Sequence, residues 1–166
     1  MTTTADIAAP TASRTLTISR LLDAPAALVF RAWTDPAQLP HFWGPHGMTT
    51  PFVEMDLKPG GAFRTLMRAP DGAEYPTSGV FLEIVENRRL VFTDAYEAGF
   101  VPAVKPFFTA VITFEDQGGG KTLLTAQARH WRDEDRDAHE KMGFHDGWGQ
   151  SLDRLAQHLD TVQNTK

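Results

Sequence analysis

Among the side chains able to do chemistry, His130 and His145 stand out, because the surrounding periodicity sets both against apolar neighbours. His145 falls between Met142 and Gly149 on the apolar stripe of a helical pattern, and His130 takes the inward parity at the end of a strand pattern. A neutral imidazole so placed either finds a hydrogen-bond partner in the core or turns a nitrogen toward a bound molecule, as a polar contact or as a general base. Asp94 and Tyr96 share a strand parity and add a carboxyl and a phenol to the candidate set. The six histidines show no metal-binding spacing, since His139 and His145 stand six positions apart rather than four. G-x-S-x-G, a Walker loop and a G-x-G-x-x-G in strand-turn-helix context are missing, so hydrolase, nucleotide and dinucleotide readings lack support. Neither a metal nor a cofactor is expected.

The elements that must position these groups can be traced along the chain. Arg14 to Leu22 alternates as a half-buried strand, with Leu16, Ile18 and Leu21 read as its inner side. Asp23 is read as the N-cap and Pro25 as first-turn residue of a short helix ending near Trp33, and Asp35-Pro36 starts a second, smaller one. From Met48 to Trp131 strands alternate with turns at Pro59-Gly60-Gly61, Asp71-Gly72, Glu86-Asn87 and Gly118-Gly119-Gly120. The expected strands are 49–57, 62–68, 75–85, 90–96, 107–115 and 122–130. The connection 97–106 carries Phe100, Val101 and Val104 among Gly and Pro, either as a cap on the core or as a lid over a ligand. Residues 134–159 read as one long helix with Ala138, Met142, His145, Gly149, Leu152, Ala156 and Leu159 on a single face. A helix that long beside a seven-stranded meander is buried only if the sheet curves around it.

Composition narrows the function classes. The 166 residues fit one domain, expected over 14–160 with tails at 1–13 and 161–166. A net charge of -5 leaves no basic stripe for neutralising phosphates, so nucleic acid is not an expected partner. There is no cysteine, hence neither a disulfide framework nor a thiolate site. No stretch approaches the ~18 consecutive apolar residues of a membrane span, and the first residues lack a secretory signal pattern. A cytoplasmic protein without a membrane partner is expected.

The segments DAPAALVFRAWTDPAQLPHFWGP, MDLKPGGAFR, GVFLEIVENRRLVFTD, FEDQGGGKTLLT and HDGWGQSLDRLAQHL together resemble the domain of activators of heat-shock protein 90 ATPase and their bacterial homologues. That domain belongs to the START-type, birch-pollen-allergen-like (SRPBCC) superfamily, and the resemblance runs from about Arg14 to Leu159. It implies an α+β helix-grip fold, in which a curved seven-stranded antiparallel sheet wraps a long C-terminal helix and two short helices follow the first strand. The superfamily includes lipid carriers, polyketide cyclases, antibiotic self-resistance proteins and co-chaperones. The co-chaperone members imply a stress-response setting.

On that fold the side chains sort into a candidate cavity. Trp33, Phe42 and Trp43 form an aromatic cluster on the short helices, either as core or around the cavity mouth. Phe63, Thr65 and Met67 share a strand face opposite Arg64 and Arg68, and Val80, Leu82 and Ile84 share the next. Phe108, Ala110 and Ile112 follow on a third strand. Small residues on the last strand, with Gly149 and Leu152 on the helix, leave a space that is either filled by neighbours or kept open.

Three functions are compatible with this reading. The first is binding of a small hydrophobic molecule, aromatic or acyl-chain, between sheet and helix. The second is a cyclase or dehydratase using a cavity histidine, although an enzyme is the less expected outcome. The third is an interaction module for a chaperone or other protein, with the chain as monomer or homodimer.

Overall fold

The computed structural model describes residues 13–164, so most of the expected N-terminal tail and the last two residues lie outside the described residues. Seven strands form one antiparallel sheet: β1 (Thr15–Leu22), β2 (Thr49–Met55), β3 (Ala62–Arg68), β4 (Glu74–Val85), β5 (Arg89–Thr93), β8 (Phe108–Gly118) and β9 (Lys121–His130). Their spatial order is β1-β9-β8-β5-β4-β3-β2. The first strand crosses to the far edge beside the last, and the remainder is a meander joined at the four expected turns. Two very short strands, β6 (Tyr96–Glu97) and β7 (Val101–Pro102), pair separately as a hairpin between β5 and β8.

Helix α1 (Ala26–Thr34) follows β1, then a single 3-10 turn at Leu39–His41, then the long crossing to β2. The residue flanking α1 is Pro25 rather than Asp23, and no side chain among the described residues caps the helix: the Pro25 carbonyl accepts from Leu28 and Val29. Asp35 does hold the following turn, its Oδ1 accepting from the Ala37 amide at 2.8 Å. On β1 the inner residues are Leu16, Ile18 and Leu22, whereas Leu21 is exposed, as strict period-two alternation requires.

The long C-terminal helix is present, but its expected start at 134 is corrected. The chain makes α2 (Asp133–Lys141) and α3 (Phe144–Asn164), separated at Met142-Gly143. Gly143 takes φ +97°, a left-handed conformation that ends a helix at little cost only for glycine. Helix α2 buries no residue; its acidic first turn and basic last turn suit the helix dipole. Helix α3 buries Phe144, Leu152, Leu155 and Leu159 and runs past the expected boundary near 160. Between them and the sheet lies a core with Trp33, Phe42, Phe81, Leu90, Ile112 and Leu124 at its centre. No helix among the described residues is long and apolar enough to cross a membrane.

Candidate functional site

Between the sheet and the start of α3 lies a cavity of about 410 Å³, walled by residues of β3, β4, β5, β8 and the three helices. Trp33 on α1 organises the aromatic part of the wall. Its ring meets Trp43 edge-on at 6.1 Å and stacks on Trp148 of α3 at 6.5 Å. Phe63 on β3 and Phe92 on β5 meet edge-on at 5.0 Å, and Phe108 and Phe144 close the far side. Edge-to-face and offset arrangements of this kind add to the burial energy and fix ring positions.

Polar groups in the wall are few and mostly committed. Trp43 Nε1 donates to Thr65 Oγ1 at 3.1 Å, and Thr65 in turn shares a 2.6 Å bond with the cavity residue Thr77. Ser151 on α3 donates its hydroxyl to the Phe42 carbonyl. Arg154, one turn further, donates Nη1 to the carbonyls of Gly44, Pro45 and Trp43, which fastens the loop at the cavity mouth to α3. Asp94 Oδ1 accepts from the amides of Phe107 and Phe108 at 2.9 and 3.2 Å. Burial nevertheless raises the Asp94 pKa above the ordinary carboxylate value, against the lowering effect of those two amides.

The histidine in the wall is His139, on α2. Its Nδ1 lies 2.9 Å from Nε2 of His130, whose own Nδ1 lies 2.8 Å from the Arg14 carbonyl oxygen. A carbonyl only accepts, so His130 carries its proton on Nδ1 and, when neutral, accepts at Nε2. His139 must then donate from Nδ1, which leaves its Nε2 as a lone-pair acceptor. Burial, with the neighbouring His130 as a smaller cause, pushes the His139 pKa down to about 4.

The expected site residues divide into three groups. Trp33, Trp43, Phe63, Met67, Asp94, Phe108 and Met142 line the cavity. Phe42, Thr65, Val80, Ala110, Ile112, His130 and Leu152 are buried behind the wall, where they pack or hold it rather than face a guest. Leu82, Tyr96, His145 and Gly149 are placed elsewhere. A β-bulge between Phe81 and Glu83 makes Leu82 the extra residue, so Val80 and Phe81 are both buried and Leu82 is 42% exposed. Tyr96 turns outward in the β6–β7 hairpin. The break at Gly143 rotates the helical face, leaving the His145 side chain 57% exposed and 3.8 Å from Glu140. A Cβ on Gly149 would meet Ile18 and Arg20 of β1, not the cavity.

Sequence reasoning missed Phe92, His139, Phe144, Gly147, Trp148 and Ser151. Four of these recur at helical spacing from Phe144, and the signal was Gly143 itself, a helix-ending glycine that resets the phase. The apolar residues of 97–106 do not line the cavity: Phe100 lies over the turn at Gly60, where an added Cβ would stand 2.5 Å from its ring. Val101 and Val104 are exposed. Among the described residues no cluster of three or more His, Cys, Asp or Glu is placed to hold a metal ion.

A curved antiparallel sheet gripping a C-terminal helix, with an apolar cavity between them, defines an α+β helix-grip protein. The chain belongs to the family described as Activator of Hsp90 ATPase homolog 1-like protein, whose model matches residues 23–160. Among solved structures, a protein from Nitrosomonas europaea is 38% identical, with 92% of this chain and 97% of that one covered and a TM-score of 0.87. One from Mycobacterium smegmatis is 27% identical over 91% of this chain and 94% of its own, with a TM-score of 0.77. One from Chromobacterium violaceum is also 27% identical, covering 86% and 95%, with a TM-score of 0.71. No curated protein matches the chain.

Proposed function

We propose that this protein binds a small, largely apolar aromatic molecule in the cavity between the sheet and α3. The observation that carries the reading is the wall itself: about 410 Å³ of space bounded by Trp33, Trp43, Phe63, Phe92, Phe108 and Trp148, with a handful of fixed polar groups. Volume and lining both fall in the range of small-molecule sites. Burying ~300 Å² of ligand surface contributes about 7 kcal/mol at ~25 cal/mol/Å². The cost of association is ~4–15 kcal/mol, and burial of the protein's own lining offsets part of it.

Binding is favoured over catalysis by the state of the histidine. A general base works best with a pKa near the operating pH, whereas His139 titrates at about 4. The test is titration with the neutral dye N-phenyl-1-naphthylamine, followed by dye fluorescence and tryptophan quenching, together with native mass spectrometry for a co-purified molecule. Saturable binding at one site, lost when Gly147 is replaced by Leu, is the expected result. Absence of any saturable binding overturns the proposal.

A further inference from the structure

We infer that the molecule held in this cavity is a hydrogen-donating hydroxyaromatic, recognised by His139 Nε2, and not an organic acid. The inference rests on the binding role proposed above and specifies its ligand. It follows from the direction of the hydrogen bonds around the wall.

The chain of bonds from the Arg14 carbonyl through His130 to His139 fixes both rings in one tautomer. The Arg14 oxygen accepts His130 Nδ1–H, His130 Nε2 accepts His139 Nδ1–H, and His139 Nε2 remains as an acceptor with no partner among the described residues. Phe108 and Phe144 flank the His139 ring at 5.1 Å each, so the acceptor sits beside aromatic surface. Asp94 uses Oδ1 for the Phe107 and Phe108 amides, which places a second acceptor group on the same segment of wall.

Side-chain donors are scarce by comparison. Among the described residues no lysine or arginine lines the cavity. Trp43 Nε1–H is given to Thr65 and Ser151 Oγ–H to Phe42, Thr93 is bonded to Thr109 and to the Phe108 carbonyl, and the Thr65–Thr77 pair commits one of its two hydroxyl protons to the bond between them. Trp33 Nε1 lacks a partner among the described residues but is covered by surrounding atoms. Ser78 is the one lining hydroxyl without an assigned bond among the described residues, and a hydroxyl serves either way. A carboxylate or phosphate entering this space would meet a carboxyl group and a lone pair without a cation to offset its desolvation. A phenolic O–H satisfies His139 Nε2 directly while its ring stacks on the tryptophans.

The test compares three probes of one shape at neutral pH by calorimetry: 2-naphthol, 2-methoxynaphthalene, which lacks the donor, and 2-naphthoate, which is ionised. The expected order is 2-naphthol tightest, 2-methoxynaphthalene weaker by up to about tenfold, and 2-naphthoate without saturable binding. His139→Phe keeps a ring at the position and removes the acceptor, so the naphthol preference should vanish while the methoxy compound still binds. Nitrogen-15 spectra of the wild type give a readout independent of that variant's folding: Nε2 of His139 should be unprotonated and should shift on adding 2-naphthol. Equal binding of all three probes, a preference that survives in His139→Phe, or a proton on Nε2 overturns the inference while leaving the cavity as a binding site. Failure of all three probes to bind overturns both.

Discussion

Nη1 of Arg154 stands 2.8 Å from the carbonyl oxygen of Gly44, and the same nitrogen reaches the carbonyls of Pro45 and Trp43. One guanidinium thus satisfies three consecutive carbonyls of an irregular segment that has no strand or helix to pair with. No carboxylate among the described residues shares it, and burial lowers its pKa from the ordinary value. Because hydrogen bonds to a charged group contribute ~1.5–3 kcal/mol, Arg154→Ala should lower stability by about that amount. It should also loosen Trp43, so near-ultraviolet circular dichroism and dye affinity should fall together. Arg154→Lys, which supplies a point charge without the planar fork, should restore only part of the loss. An Arg154→Ala protein with unchanged stability and dye affinity would show that the clamp is incidental.

Two glycines two residues apart on α3 separate cavity from core. A Cβ at Gly147 meets nothing within 4 Å, whereas one at Gly149 meets Ile18 at 3.9 Å and Arg20 at 4.0 Å. Gly147→Leu should fill the cavity, abolish dye binding and keep or slightly raise stability, since leucine is the better helix former by roughly 0.5–1 kcal/mol. Gly149→Leu should overpack the contact with β1 and cost ~1–3 kcal/mol while leaving the cavity open. Thermal melts and dye titrations of the two variants distinguish the positions, and a reversed pattern would mean that the helix is rotated.

The same pair shows what the sequence discloses and what it withholds. Strand parity sets Phe63 and Met67 inward, and helical spacing does the same for Trp33; all three line the cavity. Those inferences need only a regular period. His145, Gly149 and Leu82 fail for one reason: each lies beyond an irregularity that shifts the phase. Gly143 resets the helix, and the bulge at Leu82 resets the strand, although neither changes the local composition. His139 escaped notice because its partner, His130, is nine residues away on another element, and the bond between them exists only once α2 folds back. The family resemblance carried the sheet and the C-terminal helix; it did not carry the wall of this cavity.

Asp94 offers a test of buried charge against buried hydrogen bonds. Its pKa is raised by burial, so the folded state holds the proton more tightly than the unfolded one, and stability falls as pH climbs from about 3.8 through the folded value. Asp94→Asn keeps an oxygen for the Phe107 and Phe108 amides and removes the charge. At neutral pH it should be as stable as the wild type or more so. Asp94→Ala leaves both amides unpaired and should lose about 1–3 kcal/mol. Chemical denaturation of both variants checks the order, and an Asn variant less stable than the Ala variant would contradict it.

Acid should weaken the fold through the histidine pair. The His139 pKa falls from 6.5 to about 4 on folding, so below 6.5 the unfolded chain binds a proton that the folded chain refuses. The associated loss of stability is absent above 6.5, grows as pH falls, and is complete near 4. His158, stacked on His41 at 4.6 Å and hydrogen-bonded to Gln38, has its pKa lowered by burial in the same direction. The wild-type slope therefore belongs to both residues, and a variant is needed to divide it. His139→Gln keeps a side-chain donor for His130 Nε2 and cannot titrate. Between about pH 7 and about pH 5 its melting temperature should fall less than that of the wild type, while His158→Gln removes a separate share. Equal falls for wild type and His139→Gln would mean that the proton is accommodated without disturbing the bond to His130. Dye binding should hold between about pH 7 and about pH 5, where folded His139 stays neutral, and weaken only as pH falls toward about 4, where a proton on His139 places a charge in the aromatic wall.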